Sequence, residues 1–355
     1  MPSMKTWLLC LTALALAAQD PQDLFGEQPP TPPPQADDDK LNIPKKAAAT
    51  QAQRTPYDNG AFRAKIDELL RKQNLDVRRV EGERLAFDLV GNAKLPDEAE
   101  LLKLAHTAMG GLDTWTGGQG IFAGPLPAAQ KIRLVIMPDD RSFDRLHDDL
   151  GVKSDNDLAK KLKSINDHSV RITTASKVGK AARHYAVYAA ICASLDLFYK
   201  EYGIPDGTVP APSWLREGIN AEMQRLVVGD RNLPVAWMTI SYEMNDPKGL
   251  TNDWANDIKT YINGAQTTYK GKLLPARQVT ELDVVGLDPI QYRQMWSFCN
   301  FVRANAGTAK GPSNRFFKLL LATARGTSSN SHLITEWKWK DPDLSQRWVA
   351  WALQQ

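Results

Sequence analysis

Residues 178–202, VGKAARHYAVYAAICASLDLFYKEY, decide how this chain is read. Ala181, His184, Tyr188, Ile191, Leu195, Phe198 and Tyr202 recur at alternating steps of three and four, which is one continuous stripe of a helix. Gly203 and Pro205 end it. His184 and Tyr188 stand one turn apart on that stripe, so two polar tips share a face that is otherwise apolar. A loop with three prolines follows, and Pro212 opens a second helix carrying Trp214, Leu215, Glu217, Ile219 and Met223.

Upstream of this pair the pattern changes to strands. Residues 131–137 (KIRLVIM), closed by Pro138 and Asp139, form the clearest strand. Residues 84–90 (RLAFDLV) alternate as a half-buried strand does, and 169–174 (SVRITT) read as a short one. Helices are expected around Phe62, Ile66, Leu69 and Leu70 and from Arg141 to Leu150, where Gly151 stops the chain. Another begins at Pro96-Asp97-Glu98 and is expected to stop at Gly110-Gly111. Downstream, helices are predicted at 290–304, with Tyr292, Met295, Trp296, Cys299 and Val302, and at 312–324 and 343–353; eight of the ten tryptophans lie from Trp214 onward. The fold class is therefore α+β: a small mixed sheet packed on a central helix in residues 61–205, then a mostly helical region in 206–355. No internal repeat is visible.

Composition excludes more than it identifies. The 355 residues hold 44 Lys and Arg against 41 Asp and Glu, with a formal net charge of +3, 43% apolar and 24% charged residues. These are ordinary globular values, which exclude wholesale disorder and a polytopic membrane protein. A near-neutral balance also gives no electrostatic case for nucleic acid. Residues 1–17 read as a secretory signal: Lys5, then an apolar run from Trp7, then Ala15 and Ala17 before the cleavage point. A dozen apolar residues is too short a run to span a bilayer, so no membrane span is expected after cleavage. Residues 18–60 follow as a Pro-rich disordered linker, with eight of the 22 prolines between Gln19 and Pro56. The expected location is secreted, periplasmic or at the cell envelope.

Two features stay open on the residues alone. Cys192 and Cys299, left after signal removal, form either a disulfide of an exported protein or two buried apolar thiols. The loop Gly117-Gly118-Gln119-Gly120 invites a phosphate-binding reading, but no Gly-Lys-Ser/Thr follows, which favours a turn.

Residues 212–221 read Pro-Ser-Trp-Leu-Arg-Glu-Gly-Ile-Asn-Ala. This string resembles the Pro-x-Trp-Leu-x-Glu-Gly-x-Ala helix of the peptidase MA-like (DUF1570-type) group of gluzincin zinc metallopeptidases, with Asn220 inserted relative to the commonest spacing. Strand 131–137 with Pro138-Asp139 and Phe143, and the end Trp348-Val349-Ala350-Trp351, are similar too, so the resemblance covers roughly 77–355. It implies a gluzincin-like metallopeptidase fold. It also implies zinc held by a His-Glu-x-x-His helix, with the Glu as general base, and by a Glu of the following helix.

At the chemistry the sequence departs from that pattern. His184-Tyr185-Ala186-Val187-Tyr188 stands where His-Glu-x-x-His is expected. His184 matches the first ligand, Tyr185 occupies the general-base position, Tyr188 replaces the second ligand, and Glu217 matches the third. A phenol with an ordinary pKa of about 10 is a poor proton acceptor at neutral pH, and one His with one Glu falls short of a catalytic zinc site. The remaining histidines, His106, His147, His168 and His332, are none of them four residues from His184 and stand in polar contexts expected to be exposed. No catalytic residue, metal or cofactor is therefore expected; His184, Tyr188 and Glu217 form a vestigial site. A buried Glu217 needs a partner, with His184, Tyr188 or Arg183 as candidates and a metal-free His184–Glu217 hydrogen bond as the favoured one. The expected function is a secreted, catalytically inactive homologue that binds an unidentified protein or peptide or serves a structural role. A zinc peptidase with a rearranged site and an exported helical scaffold are the alternatives. No Gly-x-Ser-x-Gly elbow supports a serine hydrolase.

Overall fold

The structure, a computed structural model, describes residues 57–151, 160, 163–204, 209–229, 253–264, 271–282, 288–340 and 343–355. The signal at 1–17 and nearly all of the linker at 18–60 lie outside the described residues.

Helix α1 (Gly60–Lys72) leads into an antiparallel hairpin, β1 (Val77–Glu81) and β2 (Leu85–Val90). Helix α2 (Glu98–Trp115) then returns the chain to β3 (Ile132–Met137), which pairs with β2 in parallel, Leu85 opposite Ile132. Parallel neighbours need such a crossover. After α3 (Asp140–Leu150) come β4 (Ile165–Asp167) and β5 (Val170–Thr174), and the sheet order is β1-β2-β3-β5-β4, with β5 parallel to β3 and β4 an antiparallel edge.

Side-chain alternation sorts the two faces of the sheet. Val90, Val135, Met137, Val170 and Ile172 face α1 and α3, where Ile66, Leu70, Phe143 and Leu146 cover them. Leu85, Phe87, Leu89, Ile132, Leu134 and Ile136 face α2 and the long helix α5 (Ala182–Tyr202), which follows the short α4 (Ala175–Val178). All five strands lie within residues 77–174, and every element of the described residues beyond is helical. These are α6 (Ser213–Val228), α7 (Trp254–Ile262), α8 (Ala276–Glu281), α9 (Pro289–Ala304), α10 (Arg315–Ala324), α11 (Ser329–Trp337) and α12 (Asp343–Ala352). Buried indoles hold them together, and three of them donate to acceptors on neighbouring helices, as an N–H out of water must. Trp214 Nε1 donates to Ser329 Oγ at 3.0 Å, Trp348 Nε1 to Ser297 Oγ at 3.1 Å and Trp296 Nε1 to Glu222 Oε2 at 2.7 Å. The α+β class, the small mixed sheet and the helical C-terminal part agree with the sequence reading.

Three expectations are corrected. The strand at 84–90 is not half-buried: all six residues Leu85–Val90 are buried, because α1 covers the face that holds Asp88. Helix α2 does not stop at Gly110-Gly111 but runs to Trp115. Gly111 serves packing instead, since a Cβ there would lie 2.8 Å from Met223 Sδ of α6. Helix α5 is buried on nearly every side between Tyr185 and Leu195, not along one stripe, because α2, α6 and the sheet all pack on it.

Candidate functional site

The central helix and the sheet edge do not meet closely everywhere. Between β4, β5, α5 and the start of α6 lies a cavity of about 420 Å³. Strand β5 turns Val170 and Ile172 toward α3, so its alternate residues, Arg171 and Thr173, point to the cavity. Helix α5 lines it with Tyr185, Tyr188, Cys192, Asp196, Tyr199 and Lys200, spaced so that they share one face. Arg216 of α6 closes the far wall, and Asp167 and His168 stand at the rim. There Tyr57 Oη donates to Asp167 Oδ1 at 3.0 Å, and its ring meets His168 edge-on at 4.9 Å with Lys200 Nζ 5.8 Å above it.

The cavity carries two arginines with acidic partners. Arg171 is only 8% exposed. It donates Nη1 to Asn166 Oδ1 at 2.8 Å and pairs through Nη2 with Asp196, while its Nε is buried with no hydrogen-bond partner. Burial opposes the Arg171 charge, and Asp196 outweighs it and holds the guanidinium protonated. Arg216 Nε donates to Glu217 Oε1 at 3.0 Å. Burial again opposes the charge, and the Glu217 carboxylate secures it. Burial raises Tyr185, Tyr188 and Tyr199 well above the ordinary phenol value, so all three are neutral phenols at physiological pH. It also pushes the Cys192 thiol up to about 11, against a smaller opposite pull from Arg171, which leaves no thiolate nucleophile.

The candidate residues of the sequence reading separate here. Tyr185 and Tyr188 line the cavity together, whereas His184, half-buried on α5, is outside its wall. Glu217 is fully buried behind Arg216. Its two oxygens are taken by Arg216 Nε and by Tyr292 Oη of α9, which donates at 3.1 Å. The expected His184–Glu217 hydrogen bond is not found among the described residues, and Arg183 pairs instead with Glu100 of α2. Tyr188 is close enough to Glu217 for the carboxylate to oppose ionisation of the phenol. Gly218 explains part of the string: a Cβ there would lie 2.4 Å from Cys299 Cβ, so only glycine lets α6 press on α9 and carry Glu217 to Tyr292.

Both Glu217 oxygens are engaged, one by the Arg216 guanidinium and one by the Tyr292 hydroxyl. Among the described residues no group of three or more His, Cys, Asp and Glu side chains is placed to hold a metal ion. The other histidines differ from expectation: His147 and His332 are buried, at 5% and 7% exposure, and His106 and His168 are half-buried. His147 is held by stacking on Phe143 and by Nδ1 against Asp148, while its buried Nε2 finds no partner among the described residues.

Two open questions close. Cys192 and Cys299 are free and buried, with Asn220 Nδ2 at 3.2 Å from Cys192 Sγ and Gly218 against Cys299. The Gly117–Gly120 loop is a turn: Gly118 N–H bonds to Asp113 O, and Gly120 and Phe122 N–H both bond to the Asp113 carboxylate. Those donors are consumed internally and none faces a phosphate.

Sequence reading missed Arg171, Asp196 and Tyr292. A charged residue inside the short strand SVRITT was the available signal for Arg171; nothing local marks Tyr292, which acts from 75 residues away. No helix among the described residues is long and apolar enough to cross a membrane. Compared with known protein families and with curated proteins, the chain matches none.

Proposed function

We propose that this protein is an exported, catalytically inactive homologue of the gluzincin zinc metallopeptidases, with a binding role at the cell envelope. The observation that carries the reading is the state of Glu217: the residue at the third ligand position is sealed between Arg216 and Tyr292, while a polar cavity remains beside it. Tyr185 and Tyr188, at the positions of the general base and second ligand, are neutral phenols on the cavity wall and neither takes a proton from water nor binds zinc as phenolate. What is left of a peptidase cleft is a walled pocket with hydrogen-bond donors and no nucleophile. The bound partner is a small ligand or the end of a peptide, which is the scale that a cavity of about 420 Å³ admits.

Metal analysis tests this. The purified full chain, dialysed against zinc, is expected to retain well under one zinc per chain and to show no peptide hydrolysis. Stoichiometric zinc with chelator-sensitive hydrolysis overturns the reading. The ancestry has its own test: Tyr185→Glu with Tyr188→His, made also with Arg216→Gln to free Glu217, is expected to gain zinc affinity. Folded variants that take up no zinc in either background refute the metallopeptidase arrangement of α5 and α6.

A further inference from the structure

Among the described residues, Arg171 of the cavity wall carries a buried donor that finds no answer in the chain. Arg171 Nε has no hydrogen-bond partner, although its neighbours on the same guanidinium are bound to Asn166 and Asp196. A buried N–H without an acceptor is costly and rare in native proteins, and the guanidinium that carries this one belongs to a residue that lines the cavity. Arg216 faces the same space, and among the described residues its guanidinium is engaged through Nε, by Glu217.

We infer that the cavity is a site for a monoanionic carboxylate, held between the Arg171 and Arg216 guanidinium groups, with the remainder of the ligand lying along Tyr185, Tyr188 and Tyr199. Forked guanidinium N–H donors match the two oxygens of a carboxylate. Charge selects against a more highly charged group. Arg171, Arg216 and Lys200 contribute three positive charges, and Asp167, Asp196 and the adjoining Glu217 contribute three negative ones, so the balance is 3 − 3 = 0. With no surplus cation, a monoanion leaves the pocket one negative charge in excess and a phosphate dianion two, so the lower charge is favoured beside Asp196 and Glu217. The tyrosine rings suit an aromatic or aliphatic body on the acid, because each presents an apolar face and a polar tip.

This inference rests on the binding role proposed above and names its ligand class. The test uses the full chain and the two-dimensional arginine 15Nε–1H spectrum, with the Arg171 and Arg216 signals assigned by loss in Arg171→Lys and Arg216→Lys. The probes are N-acetyl-L-phenylalanine, its C-terminal amide and inorganic phosphate. Saturable shifts of both signals with the acid are expected, with at least tenfold weaker response to the amide and none to phosphate. Equal response to acid and amide overturns the carboxylate assignment while leaving the cavity a ligand site. Tighter response to phosphate overturns the charge argument, and silence of both signals to every probe overturns the inference as a whole. The zinc measurement decides the parent reading independently of all three.

Discussion

The two faces of the sheet hold buried charge in differently built networks. Under α1 and α3, Asp88 is fully buried and its carboxylate receives Arg79 at 2.6 Å and Arg133 at 2.7 Å. Arg133 continues to Asp67 at 2.8 Å, and Arg63 beside it is met by Asn59, Ser169 and the Lys131 carbonyl. Burial alone would raise the Asp88 carboxyl; the Arg79 hydrogen bond and the Arg133 charge overcome it and hold it below the usual carboxylate range. On the α5 side, Arg171 Nε, Asn220 Oδ1 and both amide atoms of Gln224 are buried without partners. A closed network stabilises only the fold. On the α5 side the network is unfinished: Arg171 lines the cavity, whereas Asn220 and Gln224 do not, so the unmet donor of Arg171 is the one of these that a ligand could answer.

Breaking the closed network is the largest expected effect. Asp88→Ala leaves Arg133, 3% exposed, with Asp67 alone as counter-charge. Removing one partner of a buried ion pair typically costs about 3–5 kcal/mol. Urea unfolding read by tryptophan fluorescence is expected to show a loss of that size; a loss below about 1 kcal/mol would mean that this face is no better tied than a surface ion pair. Its pH dependence has a fixed sign. A carboxyl held low in the folded state contributes stability that is present above the unfolded value near 3.9 and lost as pH falls through the folded one.

The sheet and the long helices were legible because periodicity is local. Residues 131–137 and 178–202 carry their period within a few turns, and Gly151 and Pro212 mark boundaries by backbone chemistry alone. Edge strands β1 and β4 were not legible. VRRVE is exposed at four of its five positions and only three residues form β4, so neither carries an apolar pattern. The candidate site was read in part. Tyr185, Tyr188 and Glu217 were found through a resemblance to known helices, and Tyr185 and Tyr188 do share a cavity. The partner of Glu217 was not found, because Tyr292 reaches it from a helix far along the chain. Burial of His147 escaped for a related reason: α1 packs over α3 from a distant part of the sequence, and local polarity cannot report that.

The unfinished face yields a gain where the closed face yields a loss. Gln224 on α6 is fully buried with neither amide atom bonded. Gln224→Met keeps the length of the side chain and removes both unmet polar atoms, so a stabilisation of about 1 kcal/mol is expected. The same unfolding measurement checks it. A marked destabilisation would show that Gln224 has a partner after all, and that the contrast between the two faces is smaller than drawn here.

The smallest effect comes from His168 at the cavity rim. Burial is the main cause that holds its imidazole below the ordinary value, helped by Lys200 and Arg171 and opposed by Asp167 and Asp196. The folded chain therefore protonates His168 less readily than the unfolded chain, which takes up a proton near pH 6.5, so stability is complete above that value and declines as pH falls below it. One such histidine contributes at most about 0.8 kcal/mol of loss by pH 6. Unfolding midpoints at pH 7.5 and pH 6 for the wild-type chain and His168→Gln separate this group from the rest. The wild type is expected to lose more stability than the variant over that interval. Equal losses would place His168 in contact with solvent in the folded state, and would remove it from the rim that Tyr57 and Lys200 build around the cavity.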